Sequence, residues 1–268
     1  MKGRVLIIAG SDSGGGAGIQ ADIKTVTALG AYAMTAVTAI TVQNTKGVSD
    51  VHAVPPNVVA AQIEAVLTDL GADVIKTGML ASIPLIEAVA GALERYGSAI
   101  PKVIDPVMRA KGGHALLDAD ASETLKRRLI KGADVLTPNL PEAEVLIGQP
   151  IKTAEDMQSA VEPLRGLGAK AVLLKGGHLE GDDLVDLLIT SSEVIQFDVT
   201  RISSTSTHGT GCTLASAIAA GLAEGMILGD AVARARAYVR EAIRTAPGFG
   251  QGHGPLNHGH TVAPFSHN

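Results

Sequence analysis

Short apolar runs alternate with amphipathic stretches along almost the whole chain. Val5-Leu6-Ile7-Ile8-Ala9 is uninterrupted and rich in branched side chains, the pattern of a parallel strand buried on both faces. A glycine-rich loop, Gly10 to Gly18, leads into a helix from about Ile19 to Leu29. Tyr32 to Val42, full of Thr, Val and Ile, predicts the next strand. Pro55-Pro56 opens a helix to about Leu70, and Asp73 to Met79 holds a strand with its exit loop. Ser82 is placed to cap a further helix, with Pro84 in the first turn. Val103 to Met108 is a strand carrying Asp105 at its exit. Arg109 to Asp118, with Lys111-Gly112-Gly113-His114 at its centre, reads as a mobile loop able to cover a site. A helix from about Ala121 to Ile130 and a strand from Asp134 to Asn139 follow. Thr153 then starts a helix with Glu155 and Asp156 in its first turn. Lys170 to Lys175 is a strand running into Gly176-Gly177-His178, and Leu184 to Thr190 and Glu193 to Val199 read as two antiparallel edge strands. A last helix spans roughly Leu228 to Thr245, with Arg234, Arg236 and Arg240 on its polar side.

This alternation predicts one α/β domain over residues 1–268, a three-layer α/β/α stack around a mostly parallel sheet, with about 250–268 as a flexible tail. Composition narrows the function. Aromatics are 2% of the chain, which disfavours base stacking of single-stranded nucleic acid, and the net charge of −5 disfavours nucleic acid and anionic membrane alike. The longest basic run is Lys126-Arg127-Arg128, and no stretch has the length and apolarity of a membrane span. A single cysteine excludes an intrachain disulfide and fits a reducing compartment, so a cytoplasmic location is expected.

The chemistry gathers where strands end. Gly10, Gln43, Gly78, Asp105, Asn139 and Lys175 all close predicted strands, and open parallel sheets bind ligands at that edge. The stretch Thr207-His208-Gly209-Thr210-Gly211-Cys212-Thr213 precedes a strongly helical run. A helix starting there turns its first N–H groups and its positive dipole end toward a ligand, an anion site in waiting. Cys212 at that position is expected to have a lowered thiol pKa. The amide of Gln43 can read a heterocycle edge, Lys175 can meet a phosphate, and Asn139 with Glu142 offers oxygens of the kind Mg²⁺ takes, partly through water. Asn139 and Glu142 equally fit an N-cap with a first-turn acid. The loop Gly10 to Gly18 is neither a dinucleotide fingerprint, since Ile19 stands where a third Gly belongs, nor a P-loop, since no Gly-Lys-Ser/Thr follows. His253, His258 and His260 have no accompanying Cys or nearby acid, so a metal reading is not favoured.

Six segments in order, Ala9-Gly10-Ser11-Asp12-Ser13-Gly14-Gly15-Gly16-Ala17-Gly18-Ile19-Gln20-Ala21-Asp22, Val42-Gln43-Asn44-Thr45, Asp105-Pro106-Val107-Met108, Thr137-Pro138-Asn139, Leu174-Lys175-Gly176-Gly177-His178 and Thr207 to Thr213, resemble those of the hydroxymethylpyrimidine/phosphomethylpyrimidine kinases. These are thiamine-biosynthesis enzymes of the ribokinase-like superfamily. The resemblance implies a homodimeric kinase that uses Mg²⁺ and ATP to phosphorylate 4-amino-5-hydroxymethyl-2-methylpyrimidine, then its monophosphate. It also implies roles: substrate binding by Gln43, Gly10, Asp22, Met79 and Val107; ATP and phosphate binding by Lys175, Asn139 and Thr207; Mg²⁺ at Asp105 and Glu142. Gly209, Thr210, Gly211 and Cys212 become the catalytic anion hole.

Two positions depart from the wider pattern. Ribokinase relatives usually carry Asp, as general base, where this chain has Cys212; the Cys form is typical of the pyrimidine kinases. Ser206 stands where Asn is expected. Pyridoxal kinase is the alternative enzyme, because that ring and its hydroxymethyl group resemble the pyrimidine. A non-catalytic pyrimidine sensor is the alternative outside enzymes.

Overall fold

Alternate residues of the first strand face two separate cores. The structure, a computed structural model, describes residues 1–109, 113, 116–118 and 120–263. Strand β1 (Arg4–Asp12) leads to α1 (Gly18–Ala28), β2 (Tyr32–Asn44), β3 (Gly47–Ala53), α2 (Pro56–Asp69), β4 (Val74–Thr77), α3 (Ile83–Tyr96) and β5 (Lys102–Ile104). Next come α4 (Ala121–Leu125), a π-helical turn (Lys126–Ile130), β6 (Val135–Leu136), α5 (Leu140–Ile147), α6 (Ala154–Ser159) and α7 (Val161–Arg165). The chain closes with β7 (Ala171–Lys175), β8 (Asp183–Thr190), β9 (Val194–Thr200), α8 (Thr210–Ala223) and α9 (Leu228–Arg244).

Among the described residues the strands form one sheet in the order β3-β2-β1-β4-β5-β6-β7-β8-β9. The run from β2 to β7 is parallel, and β3, β8 and β9 are antiparallel additions at the edges. Leu6 and Ile8 pack with Val59, Ile63, Leu85 and Ile86 beneath α2 and α3. Val5, Ile7 and Ala9 pack with Val26, Ala217 and Ile218 beneath α1 and α8. Burial on both faces is why this strand reads as an unbroken apolar run. The expected α/β/α stack with a mostly parallel sheet is therefore present.

Several details differ from expectation. Strand β3, with no regular apolar alternation, is not foreseen by periodicity; it exists as an edge ribbon paired to β2, from Ala39↔Ala53 to Asn44↔Gly47. The helix read over Ala121 to Ile130 is α-helical only to Leu125 before the π turn. Ser82 occupies the N-cap of α3 but makes no side-chain capping bond. The three arginines of α9 hold other elements: Arg234 pairs with Glu224, Arg236 with Asp186, and Arg240 Nη1 donates to Thr200 O. The mobile loop expected over Arg109 to Asp118 lies largely outside the described residues, which omit 110–112, 114 and 115.

The segment after α9 is docked, at least to Val262, where a loose tail was expected. His253 N donates to Thr45 O at 2.8 Å, Asn257 N to Ala242 O at 3.0 Å, and Thr261 Oγ1 to Ala28 O at 2.9 Å. His258 is buried, with Nε2 3.0 Å from Thr213 Oγ1, and Tyr238 Oη donates to its carbonyl. Burial, with Lys24 and His260 adding, lowers its imidazole pKa to about 4. Glycine lets the tail backbone run close against other backbone: a Cβ on Gly252 would fall 2.1 Å from Thr45 O.

Candidate active site

Strand order reverses between β1 and β4, where the chain passes from the left half of the sheet to the right. Crevices at such points open at the carboxyl ends of the strands. A cavity of about 460 Å³ lies there, within the usual range for a small-molecule site. Gly10 at the β1 exit, Gln43 on β2, Met79 after β4, and Asp105 and Val107 after β5 line it. So do Asn139 and Glu142 at the start of α5, Lys175 at the end of β7, and Thr207, Gly209, Thr210, Gly211 and Cys212 at the mouth of α8.

Asp22 is the exception and corrects the expectation that it binds substrate. It does not line the cavity and has no exposed surface. Both its carboxylate oxygens meet Lys76 Nζ, at 3.0 and 2.9 Å, and Ser216 Oγ donates to Oδ1 at 2.7 Å. This contact from α1 to β4 and α8 closes the layer directly behind the mouth. Burial pushes Asp22 up while Lys76 and Ser216 pull it down; the lysine itself is raised despite burial, beside Asp22. The bidentate contact is that of an ion pair, and the pair is read as charged.

Gly209 caps α8 with φ +80°, and a Cβ there would lie 1.9 Å from Gly16 O, so only glycine lets the mouth close on the loop. No acid sits in the first turn of α8, so nothing internal neutralises its positive end. Lys175 Nζ stands 3.2 Å from Asp105 Oδ1, to which Thr137 Oγ1 also donates at 3.2 Å. These groups lie against the mouth itself: a Cβ on Gly211 would stand in ordinary contact with Lys175 Nζ, at 3.4 Å, and with Asp105 Oδ2, at 3.7 Å. The mouth thus has backbone donors and one ammonium aimed at the same space, which suits a phosphoryl group.

Asn139 and Glu142 form a capping box, with Asn139 Oδ1 accepting from Glu142 N and Glu142 Oε2 from Asn139 N, both at 2.9 Å. The structural role is therefore real. Burial pushes Glu142 up to about 7, Asp105 adds to that, and Lys175 opposes it. A divalent cation beside Asp105 and Glu142 would favour the ionised form of Glu142, so the donor set fits Mg²⁺ bound through one or two carboxylates and waters.

Cys212 is half-buried at the mouth. Its environment overturns the expected low pKa. Desolvation pushes the thiol up to about 12, and Asp22 and Asp105 add to it; Lys76 and the Gly18 N–H pull the other way without winning. The helix-end argument of the sequence omitted the two nearby acids and the packing.

Two residues of the site went unnoticed in the sequence. Asp12 folds the glycine loop on itself: Oδ1 accepts from Gly14 N at 2.8 Å, and Oδ2 from Gly16 N at 3.0 Å and Ala17 N at 2.8 Å. Burial would raise Asp12, but hydrogen bonds from His208, Ala17 and Gly14 hold it below the usual carboxylate range. His208 Nε2 lies 2.9 Å from Asp12 Oδ2 and 3.1 Å from the Gln43 amide. An Asp two residues before Gly is a loop-forming signal that was available; nothing local announced the histidine.

The family model described as phosphomethylpyrimidine kinase matches residues 12–257. The chain is 54% identical over 257 residues to the thiamine biosynthesis bifunctional protein ThiED of Geobacter sulfurreducens, covering 96% of this chain and about half, 52%, of that protein's length. It is 49% identical over 255 residues to a hydroxymethylpyrimidine/phosphomethylpyrimidine kinase of Mycobacterium bovis, covering 95% of this chain and 93% of that one. Among solved structures it is similar to a pyridoxal kinase from Staphylococcus aureus in complex with AMP-PCP and pyridoxal, with a TM-score of 0.87, 36% identity, and coverage of 97% and 94%.

Proposed function

We propose a mechanism for this chain from the premise that it belongs to the phosphomethylpyrimidine kinase family and is an ATP-using phosphotransferase of thiamine biosynthesis. The substrate is 4-amino-5-hydroxymethyl-2-methylpyrimidine, phosphorylated once on its hydroxymethyl oxygen and again on the resulting monophosphate. The observation that carries the reading is the α8 mouth, with Lys175 beside it, opening into the same cavity as Gln43. One end of that cavity suits a phosphoryl group and the other a polar heterocycle.

In the first step the hydroxymethyl oxygen forms a bond to the γ-phosphorus and the bond to the bridging oxygen of ADP breaks. The N–H groups of Gly211 and Cys212 and the ammonium of Lys175 hold the equatorial oxygens, where charge is spread in a loose transition state. Asp105 and Glu142 would hold Mg²⁺, which supplies charge neutralisation on the phosphates. Gly10, Met79 and Val107 pack the ring, and Gln43 bonds its edge. The proton of the attacking hydroxyl departs late in such a transition state. Cys212, raised to about 12, rests as a thiol with no room for that proton; its minor thiolate form takes it and becomes the thiol as the phosphoryl group leaves ADP. In the second step the nucleophile is a phosphate oxygen and no such acceptor is needed.

A homodimer fits the β2–β3 ribbon, where Ile40 and Val42 are exposed at 53% and 57% on an edge of the sheet. The single cysteine fits a cytoplasmic enzyme. Among the described residues no helix is long and apolar enough to cross a membrane.

The test is a phosphorus-resolved product assay with Mg-ATP and the pyrimidine, continued past the first equivalent of ATP. Monophosphate followed by diphosphate is expected. Monophosphate alone would make this a one-step kinase. The likeness to a pyridoxal kinase favours pyridoxal as the competing alcohol, so the ratio of kcat/KM for the two alcohols decides between them.

A further inference from the structure

The backbone of Gln43 is fixed: its N–H donates to Ser13 Oγ at 2.9 Å, and Ser13 Oγ donates to Gln43 O at 2.9 Å. What is left open is which way the side-chain amide faces. It stands with Oε1 3.1 Å from Thr41 Oγ1 and Nε2 3.1 Å from His208 Nε2. The histidine contact decides against that orientation. Thr41 Oγ1 donates its one proton to Ser11 O at 2.9 Å and keeps lone pairs able to accept from the amide, so this contact suits either orientation. His208 Nε2, 2.9 Å from a carboxylate oxygen, carries its proton there, so it cannot accept from the amide N–H. A half turn of the amide satisfies both contacts: Nε2 donates to Thr41 Oγ1, and Oε1 accepts a shared proton from His208 Nε2.

Resting on the pyrimidine reading above, we infer that His208, oriented by Asp12, is a positioning residue that sets the donor–acceptor order of the Gln43 amide, and so the ring edge this site accepts. With its flanks held by His208 and Thr41, the amide presents one lone pair of Oε1 and one N–H of Nε2 to the cavity. That pair matches an amino group beside a ring nitrogen. It opposes a ring whose oxo group lies beside an N–H, which an amide free to turn would take as well.

The experiment measures equilibrium binding, on the full chain, of the 4-amino alcohol and of the same ring with 4-oxo in place of 4-amino. Wild type is expected to prefer the amino compound by about 100-fold, within what an unpaired polar edge costs. His208→Leu narrows that ratio to below about 3-fold, and His208→Gln, which keeps an N–H at the same reach, restores it. Thr41→Val, which removes the other flank, narrows it as well and serves where His208→Leu fails to fold. In a Gln43→Met background His208→Leu leaves the ratio unchanged. A ratio preserved in His208→Leu or Thr41→Val, with both ligands weakened alike, would overturn the inference and make His208 structural. A wild type that binds neither ring overturns the substrate reading instead, and this inference with it.

Discussion

The same parallel strands carry ion pairs at both ends, and the two ends differ in kind. At the amino ends, Arg4 meets Asp73 at 2.8 Å with side chains 46% and 37% exposed, and Lys170 meets Asp134 at 2.8 Å with 72% and 24% exposed. At the carboxyl ends, Lys76 meets Asp22 with neither exposed, and Lys175 meets Asp105 with 13% and 3% exposed. Exposed pairs contribute little, because water and salt screen them. Buried pairs cost desolvation that their attraction only partly offsets, and they persist where something besides stability requires them. Of these four pairs, the two least exposed lie beside the cavity or directly behind it, and the two exposed ones lie at the opposite end.

The largest break in the comparison is expected from Lys76→Met, which strands Asp22 in the core. Chemical denaturation should show a loss of about 3–5 kcal/mol, and adding Asp22→Leu should recover much of it. If the single and double variants are equally unstable, the pair matters through packing and not charge.

Next in size is His258, packed behind the mouth. Its folded pKa of about 4 lies below the ordinary 6.5, so between these values the unfolded chain binds more protons. Its contribution is complete above pH 6.5 and is lost as pH falls toward 4, by up to about 3 kcal/mol. Stability followed against pH should therefore be flatter in that window for His258→Gln than for wild type.

Cys212→Ala should lower kcat of the first phosphorylation by about 10- to 100-fold and leave the second within about 3-fold. With the thiol at about 12, any thiolate contribution to the first step rises about tenfold per pH unit between 7 and 9. Equal losses in both steps would remove Cys212 from proton transfer.

The smallest effect sharpens the contrast from the other side. Arg4→Ala removes an exposed pair of good geometry and should cost less than about 1 kcal/mol, shrinking further in high salt. A loss as large as that of Lys76→Met would erase the distinction between the two ends.

The elements and the edge at which function sits were legible in the sequence. Apolar periodicity reports local burial, and the residues that close each strand are neighbours of that strand in the chain, so Gly10, Gln43, Asp105 and Lys175 converge once the strands lie parallel. Tertiary structure alone decided which polar groups face one another. Asp22 turned inward because Lys76, 54 residues away, takes the core side of β4. His208 joined Asp12 across 196 residues to address Gln43, and the tail docked because Thr45, Ala242 and Thr213 offered partners no local pattern displays. The thiol of Cys212 went up and not down for the same reason: a helix end is local, whereas desolvation and neighbouring charge belong to the packed whole.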